Sequence, residues 1–219
     1  PMNDSRQESL GFRGHFDGNN KEISGLKIDR DQNDVGLFAG IGKGGSVKNL
    51  TVRKADVKAS ARVGVVAGTI VQGDIQEVDV IDSQTSSKNG QIQGGVVGIA
   101  YNNTRLERVT FVGEASSNGV AMGGLVGWIS NESRIHQCRV DVEMSGTGDL
   151  GLLKNQGAGG VAGIVSNTTI SQCGAVVDID APSQERVGGL VGFAPPVGNQ
   201  SDLFDVSVPT IYGGLVIKD

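Results

Sequence analysis

Apolar residues along the chain recur in two short patterns. The first is a glycine followed by two apolar residues: VGLFAG at 35–40, VGVVAG at 63–68, GGVVG at 94–98, GGLVG at 123–127, GGVAG at 159–163, GGLVG at 188–192 and GGLV at 213–216. Its anchoring glycines are Gly36, Gly64, Gly95, Gly124, Gly160, Gly189 and Gly214, spaced by 28, 31, 29, 36, 29 and 25 residues. The second pattern reads apolar-x-x-apolar-x-apolar and follows each anchor by 10 to 14 residues. Its copies are Val47/Leu50/Val52, Ile75/Val78/Val80, Leu106/Val109/Phe111, Ile135/Cys138/Val140, Ile170/Cys173/Ala175 and Leu203/Val206/Val208. Two registers kept in step are the mark of a repeat architecture. The copies end in strict alternation, which is the period of a strand, and no segment sustains a helical apolar period. Val, Ile and Thr at the periodic positions suit strands.

A unit of about 29 residues cannot bury its own apolar face, whereas stacked units can. Three short strands and their turns per unit predict an all-β chain, a parallel β-helix of about seven coils, right-handed by the general rule for parallel crossovers. Stacking predicts one inward column of Leu37, Val65, Val96, Leu125, Val161, Leu190 and Leu215. A second apolar column, Phe38, Val66, Val97, Val126, Ala162, Val191 and Val216, lies next to it in sequence. Neighbours on a strand point to opposite faces, so this strand is expected to be covered on both faces. The alternative is a surface stripe for another module. Turn-rich pieces such as KGGS, KNGQ and SGTGD separate the elements, and the length variation gathers in one piece of the repeat, which predicts insertions on one side of the solenoid. Residues 1–34 are read as an N-terminal capping segment and residues 35–219 as the repeats of one domain, a fragment of a larger protein.

Composition sharpens this picture modestly. Of 219 residues, 35 are Gly and 5 Pro, without the strict triplet period of collagen. A net charge of −5 argues against nucleic acid as the main partner. No apolar run reaches the roughly 18 residues of a membrane helix, so this segment is not expected to insert into a membrane.

The motif residues resemble the GLUG family of bacterial repeats. Gly124-Leu125-Val126-Gly127 and Gly189-Leu190-Val191-Gly192 carry the family's Gly-Leu-x-Gly core, and Gly95–Gly98 and Gly160–Gly163 carry it with Val in place of Leu. The stretch GFRGHFDGNNKEISGLKI, residues 11–28, resembles the segment that often precedes such repeats. The resemblance spans most of the chain. It implies a large secreted or surface-bound bacterial protein, such as an adhesin or a surface peptidase, and no catalytic residues.

Candidate chemistry is sparse. Lys43 to Arg62 holds six basic residues against Asp56 alone. Lys48, Arg53, Lys54, Lys58 and Arg62 are therefore the candidate ligand-binding residues, toward an acidic glycan of a host or matrix or toward another protein. The other reading of the run is a solvated face. Asp29, Asp31 and Asn33 place hard oxygen ligands at alternating positions, like the start of a calcium loop, but Asp34 stands where the turn glycine belongs. No metal or cofactor is expected. Parallel β-helices also carry polysaccharide lyases and hydrolases, which need carboxylates converging on one outer face. Asp79 with Asp82, and Asp141 with Glu143, are the nearest approach to that. His15 and His136 belong to no recognisable constellation. Asn49, Asn102, Asn131, Asn167 and Asn199 begin N-x-S/T sequons, read as turn residues that tolerate the left-handed region. Trp128 shares a repeat position with Ile99, Ile164 and Phe193, a core or corner place. Cys138 and Cys173 fall at one repeat position on neighbouring coils and are expected to stack inside as free thiols, with a bridge as the alternative. The expected function is a non-enzymatic extracellular or cell-surface module, an adhesin stalk or ligand-binding segment joined to neighbouring domains. The alternatives are a carbohydrate-active enzyme on the same fold or a spacer of a surface peptidase.

Overall fold

A computed structural model describes residues 11–88, 91–117, 119–146, 157–181 and 186–194, and the backbone of 216–217. The described residues hold strands and turns without helix, and every ladder is parallel. The chain is a parallel β-solenoid of about six turns. A half coil, His15–Ser24 and Lys27–Asp29, stacks on the first full coil and continues its ladders. Residues 15–29 thus form an incomplete coil.

The first five coils each have four arms, one more than the sequence predicts. In the second coil the first arm is Arg62–Val63, the second Ala67–Val71, and the third and fourth run together as Asp74–Ser87. In the fourth coil they are Ala121–Gly123, Val126–His136 with its far half already on the third arm, and Arg139–Ser145. First arms stack as a sheet of six strands and the others join a sheet of fifteen.

The apolar-x-x-apolar spacing explains the bend in the third arm. Three residues is one too many for a period of two, so one residue must be turned out of the pleat. Asn49, Glu77, Arg108, Gln137 and Gln172 do this with φ of 52–54°. Both flanking apolar residues then point inward. The columns Val47–Ile75–Leu106–Ile135–Ile170 and Val52–Val80–Phe111–Val140–Ala175 follow strand pairing across five coils.

The expected first column also forms. Backbone hydrogen bonds carry Leu37 to Val65, Val96 to Leu125, Leu125 to Val161 and Val161 to Leu190. Leu125 and the adjacent Val126 are both fully buried in one core. No covering layer is needed, because the chain bends at Gly124–Leu125 and Val126 begins the next arm. Sequence neighbours at a corner can both face inward, which the reading of this stretch as one straight strand does not allow.

The second column needs one correction. Ala67, not Val66, pairs with Phe38 and Val97. The extra residue of VGVVAG is taken up at the corner, where Val66 N and Ala67 N share Val96 O. But for Val216–Ile217, the seventh coil expected from Gly214 falls on residues outside those described. Val216–Ile217 pair with Val176–Val177 of the fourth arm, not with Val191. Val216 therefore does not continue the second column. Leu203, Val206, Val208, Gly214 and Leu215 lie outside the described residues.

Glycine at the anchors is a steric requirement. A Cβ on Gly124 would stand 2.1 Å from Gly160 O of the next coil, and one on Gly123 2.0 Å from Val126 O. The corner is too tight for any side chain. The described connections from fourth arm to next first arm, where the repeat varies in length, all leave from one corner of the solenoid.

Candidate functional site

The basic run of the first coil does not gather into a patch. In-register stacking places acids from the neighbouring coils beside it. Lys48 Nζ lies 3.3 Å from Asp17, one half coil before, and Lys58 Nζ 3.6 Å from Asp56 on its own arm. Arg53 spans three coils, 3.2 Å from Glu22 on one side and 3.5 Å from Asp82 on the other. Arg62 Nη2 donates to Asp34 at 2.7 Å, and Asp34 also accepts from the Thr69 hydroxyl. Lys54 projects into solvent from a corner with φ of 52°. Four of the five candidate cations are thus ion-paired.

Asp29 and Asp31 do converge, but on an ammonium. Lys88 Nζ lies 2.6 Å from Asp29 and 3.0 Å from Asp31. Its hydrogen bond holds the Asp29 carboxyl below the usual carboxylate range, and the two acids raise the Lys88 pKa in return. Asn33 contributes its backbone oxygen to Arg62 N at 2.6 Å. Among the described residues no group of His, Cys, Asp and Glu has the arrangement of a metal site.

The described surface is hollowed along the third and fourth arms. One hollow of about 560 Å³ is lined by Asp56, Asp82, Gln84, Glu114, Asp141 and Glu143, together with the candidate cation Lys54. A second of about 340 Å³ continues along the same arm past Ser116 to Asp178 and Asp180. The shared lining, Asp56, Gln84, Glu114 and Glu143, belongs to one outward column that is paired coil to coil and continues to Asp178. Stacked parallel strands put equivalent carboxylates about 4.8 Å apart at the backbone. Among the described residues Glu114, Glu143 and Asp178 join no ion pair. No aromatic residue lines either hollow. Sequence reading singled out Asp82, Asp141 and Glu143 but missed Glu114 and Asp178. The coil register carries the signal, since all four acids of the column occupy equivalent places.

The other singled-out residues are architectural. Trp128 stacks between Ile99 and Ile164, half-buried on the second arm. Asn102, Asn131 and Asn167 turn a corner with φ of 60, 58 and 45°, and Asn131 Nδ2 donates to Asn102 Oδ1 at 3.0 Å. The hydroxyl two residues on is also engaged: Ser133 Oγ donates to Ser130 O at 2.6 Å and accepts from Thr104 N at 3.2 Å. Cys138 and Cys173 are buried free thiols on adjacent coils. Interaction with the Cys173 thiol, together with burial, pushes the Cys138 thiol above its ordinary pKa.

The chain matches no protein-family model and no solved structure. Over 88 residues, 40% of its length, it is 44% identical to halomucin of Haloquadratum walsbyi. The match covers 1% of halomucin, so the chain spans a very small part of that relative. Eighty-eight residues is close to three coils of this solenoid.

Proposed function

We propose that the chain is a non-enzymatic module of an extracellular or cell-surface protein, a stalk segment built from GLUG-type repeats and flanked by other domains. The observation that carries this reading is the unbroken parallel stacking from the half coil to the sixth turn. Each coil bonds only to its neighbours, so length can be added without redesign of the interior. The likeness to halomucin supports the same reading, because about three coils' worth of related sequence occurs within a far longer chain. Exposed, ligand-facing chemistry is then confined to the outward columns, where a glycan or protein partner would meet the module.

Surface proteolysis tests the location. Intact cells of the source organism, producing the full-length protein, are treated with a non-permeant protease and probed with antibody to this segment. Loss of the segment with a cytosolic marker intact supports the reading, and protection until lysis overturns it.

The acidic hollow favours a second reading, a carbohydrate-active enzyme on the same fold. Carboxylates on adjacent coils have the residue types that glycoside hydrolysis uses. Incubation with a panel of polysaccharides decides: reducing ends that appear with the native protein and vanish in Glu114→Gln or Glu143→Gln would replace the stalk reading by this one.

A further inference from the structure

Cys138 and Cys173 each follow a left-handed corner residue, Gln137 and Gln172. Strand pairing joins His136 to Ser171 before them and Arg139 to Gly174 after them. The cysteines fall in the break between these two ladders. Gln137 N donates to Ser171 O at 3.1 Å and Gly174 N to Cys138 O at 3.0 Å, which holds the two coils close at this point. Interaction with the Cys173 thiol, together with burial, raises the Cys138 pKa, and the same interaction lowers that of Cys173. Each thiol also reaches the carbonyl two residues back, Cys138 Sγ to His136 O at 3.3 Å and Cys173 Sγ to Ser171 O at 3.2 Å.

Coil spacing of about 4.8 Å lies within the Cα separations of roughly 4.4–6.8 Å found in disulfides. Regular parallel neighbours point their Cβ atoms the same way, which opposes the near-perpendicular torsion a disulfide needs. The corner relaxes that constraint, because the cysteines are not themselves ladder partners. Their position also has a use. The connection between them contains most of the longest repeat, the 36 residues from Gly124 to Gly160. Closing that loop before folding would remove the chain entropy that opposes docking of coil five on coil four.

We propose that Cys138 and Cys173 form a thiol–disulfide pair whose oxidation clamps coils four and five. The oxidant is a small disulfide such as oxidised glutathione. One cysteine thiolate attacks it, forming a mixed disulfide and releasing one glutathione thiolate. The second cysteine, deprotonated, attacks the mixed disulfide at the protein sulfur and releases the other. The protein loses two electrons and two protons, and one glutathione disulfide becomes two thiols. Both side chains are buried, at 3% and 7% exposure, so the exchange takes place while the coils are still open. The proposal stands independently of the stalk reading.

The test refolds the whole chain from denaturant in a buffer of oxidised and reduced glutathione. Acid quenching, denaturation and alkylation with N-ethylmaleimide then report the thiols by mass. The expected product carries no adduct, weighs two hydrogens less than the reduced chain, and melts at a higher temperature than the reduced chain. Cys173→Ala should keep one reactive thiol and show no rise in melting temperature. Two adducts per chain after refolding would overturn the proposal, as would a bridged chain that melts lower than the reduced one. The double variant Cys138→Val with Cys173→Val keeps the interior filled and should melt like the reduced protein. If it melts with the oxidised form instead, packing and not the clamp sets the difference, and the proposal fails.

Discussion

Gln137 donates its side-chain amide to that of Gln172 at 2.9 Å across two coils, and both residues turn the same corner with φ of 54°. Left-handed backbone is unfavourable for residues with a Cβ, by about 1–2 kcal/mol. The solenoid offsets this with ladders of side chains. Gln137 bonds to Gln172, Asn131 to Asn102, and Arg108 to Glu77 at 2.9 Å. Stacking supplies each of these corner residues with a partner one coil away, and that partner exists only once the coils have docked.

Lys54 turns a corner at φ of 52° and projects into solvent. Lys54→Gly should therefore raise stability by about 1 kcal/mol, since glycine takes this conformation freely. Lys54→Val should lower it by at least as much, because a β-branched side chain is worst suited to positive φ. Urea midpoints of the three proteins give the answer, and an unchanged midpoint for the glycine variant would show that the corner is unstrained.

Two glycines separate packing from conformation. Gly124→Ala would drive a methyl to 2.1 Å from Gly160 O and should cost about 3 kcal/mol or more. A methyl on Gly174 would meet no atom within 4 Å, and the φ of this residue is not in the left-handed region. Gly174→Ala should be neutral or gain up to about 1 kcal/mol by restricting the unfolded chain. Thermal melts of both variants check the contrast.

The parallel stack, the inward columns and the pairing of Cys138 with Cys173 as coil neighbours were legible because each rests on two motifs kept in step. The half coil's ladders were not, because residues 15–29 pair with the first coil without a GLVG anchor of their own. The fourth arm and the acidic column were hidden for a related reason. Position 54 is Lys and position 82 is Asp, and neither announces the left-handed bend that separates the third arm from the fourth, so the outward register beyond it was lost. Charge gave the opposite error. Arg53 looks unopposed in sequence because Glu22 and Asp82 are about a coil away along the chain, yet both lie within salt-bridge reach in space.

Lys88 ties coil two to the half coil through Asp29 and Asp31. The folded-state pKa of Asp29 is depressed below 3.8, so its contribution is present above that value and lost as pH falls through the folded pKa. The Lys88 pKa is raised above 10.5, so its contribution holds below that value and is lost at still higher pH. Lys88→Met should remove both edges. Its stability should fall less steeply than that of the native protein below about pH 4, measured by urea unfolding across acid pH. Parallel acid limbs for the two proteins would mean the strap contributes nothing.

Glu114, Glu143 and Asp178 stack in register along the hollow without a paired cation among the described residues. Like charges directly opposite each other on neighbouring strands repel, by a few tenths to about 1 kcal/mol per pair. Glu143 sits in the middle and has an acidic neighbour on both sides. Glu143→Gln keeps the shape and removes two repulsions at once, and should raise stability by roughly 0.5–1 kcal/mol at low salt. Salt acts on the same term. Raising NaCl from about 50 to 500 mM shortens the screening length from about 14 to 4 Å, below the spacing of the column. The native protein should therefore gain stability with salt. Glu143→Gln should start higher and gain less, so that the two curves converge. The exposed bridges of the first coil pull the other way, since screening weakens attraction as well. Arg53→Met removes two of them and should leave a steeper gain with salt than the native protein shows. Urea titrations at several salt concentrations resolve the three slopes, and a native stability that declines with salt while Glu143→Gln runs parallel to it would show that the column is not repulsive.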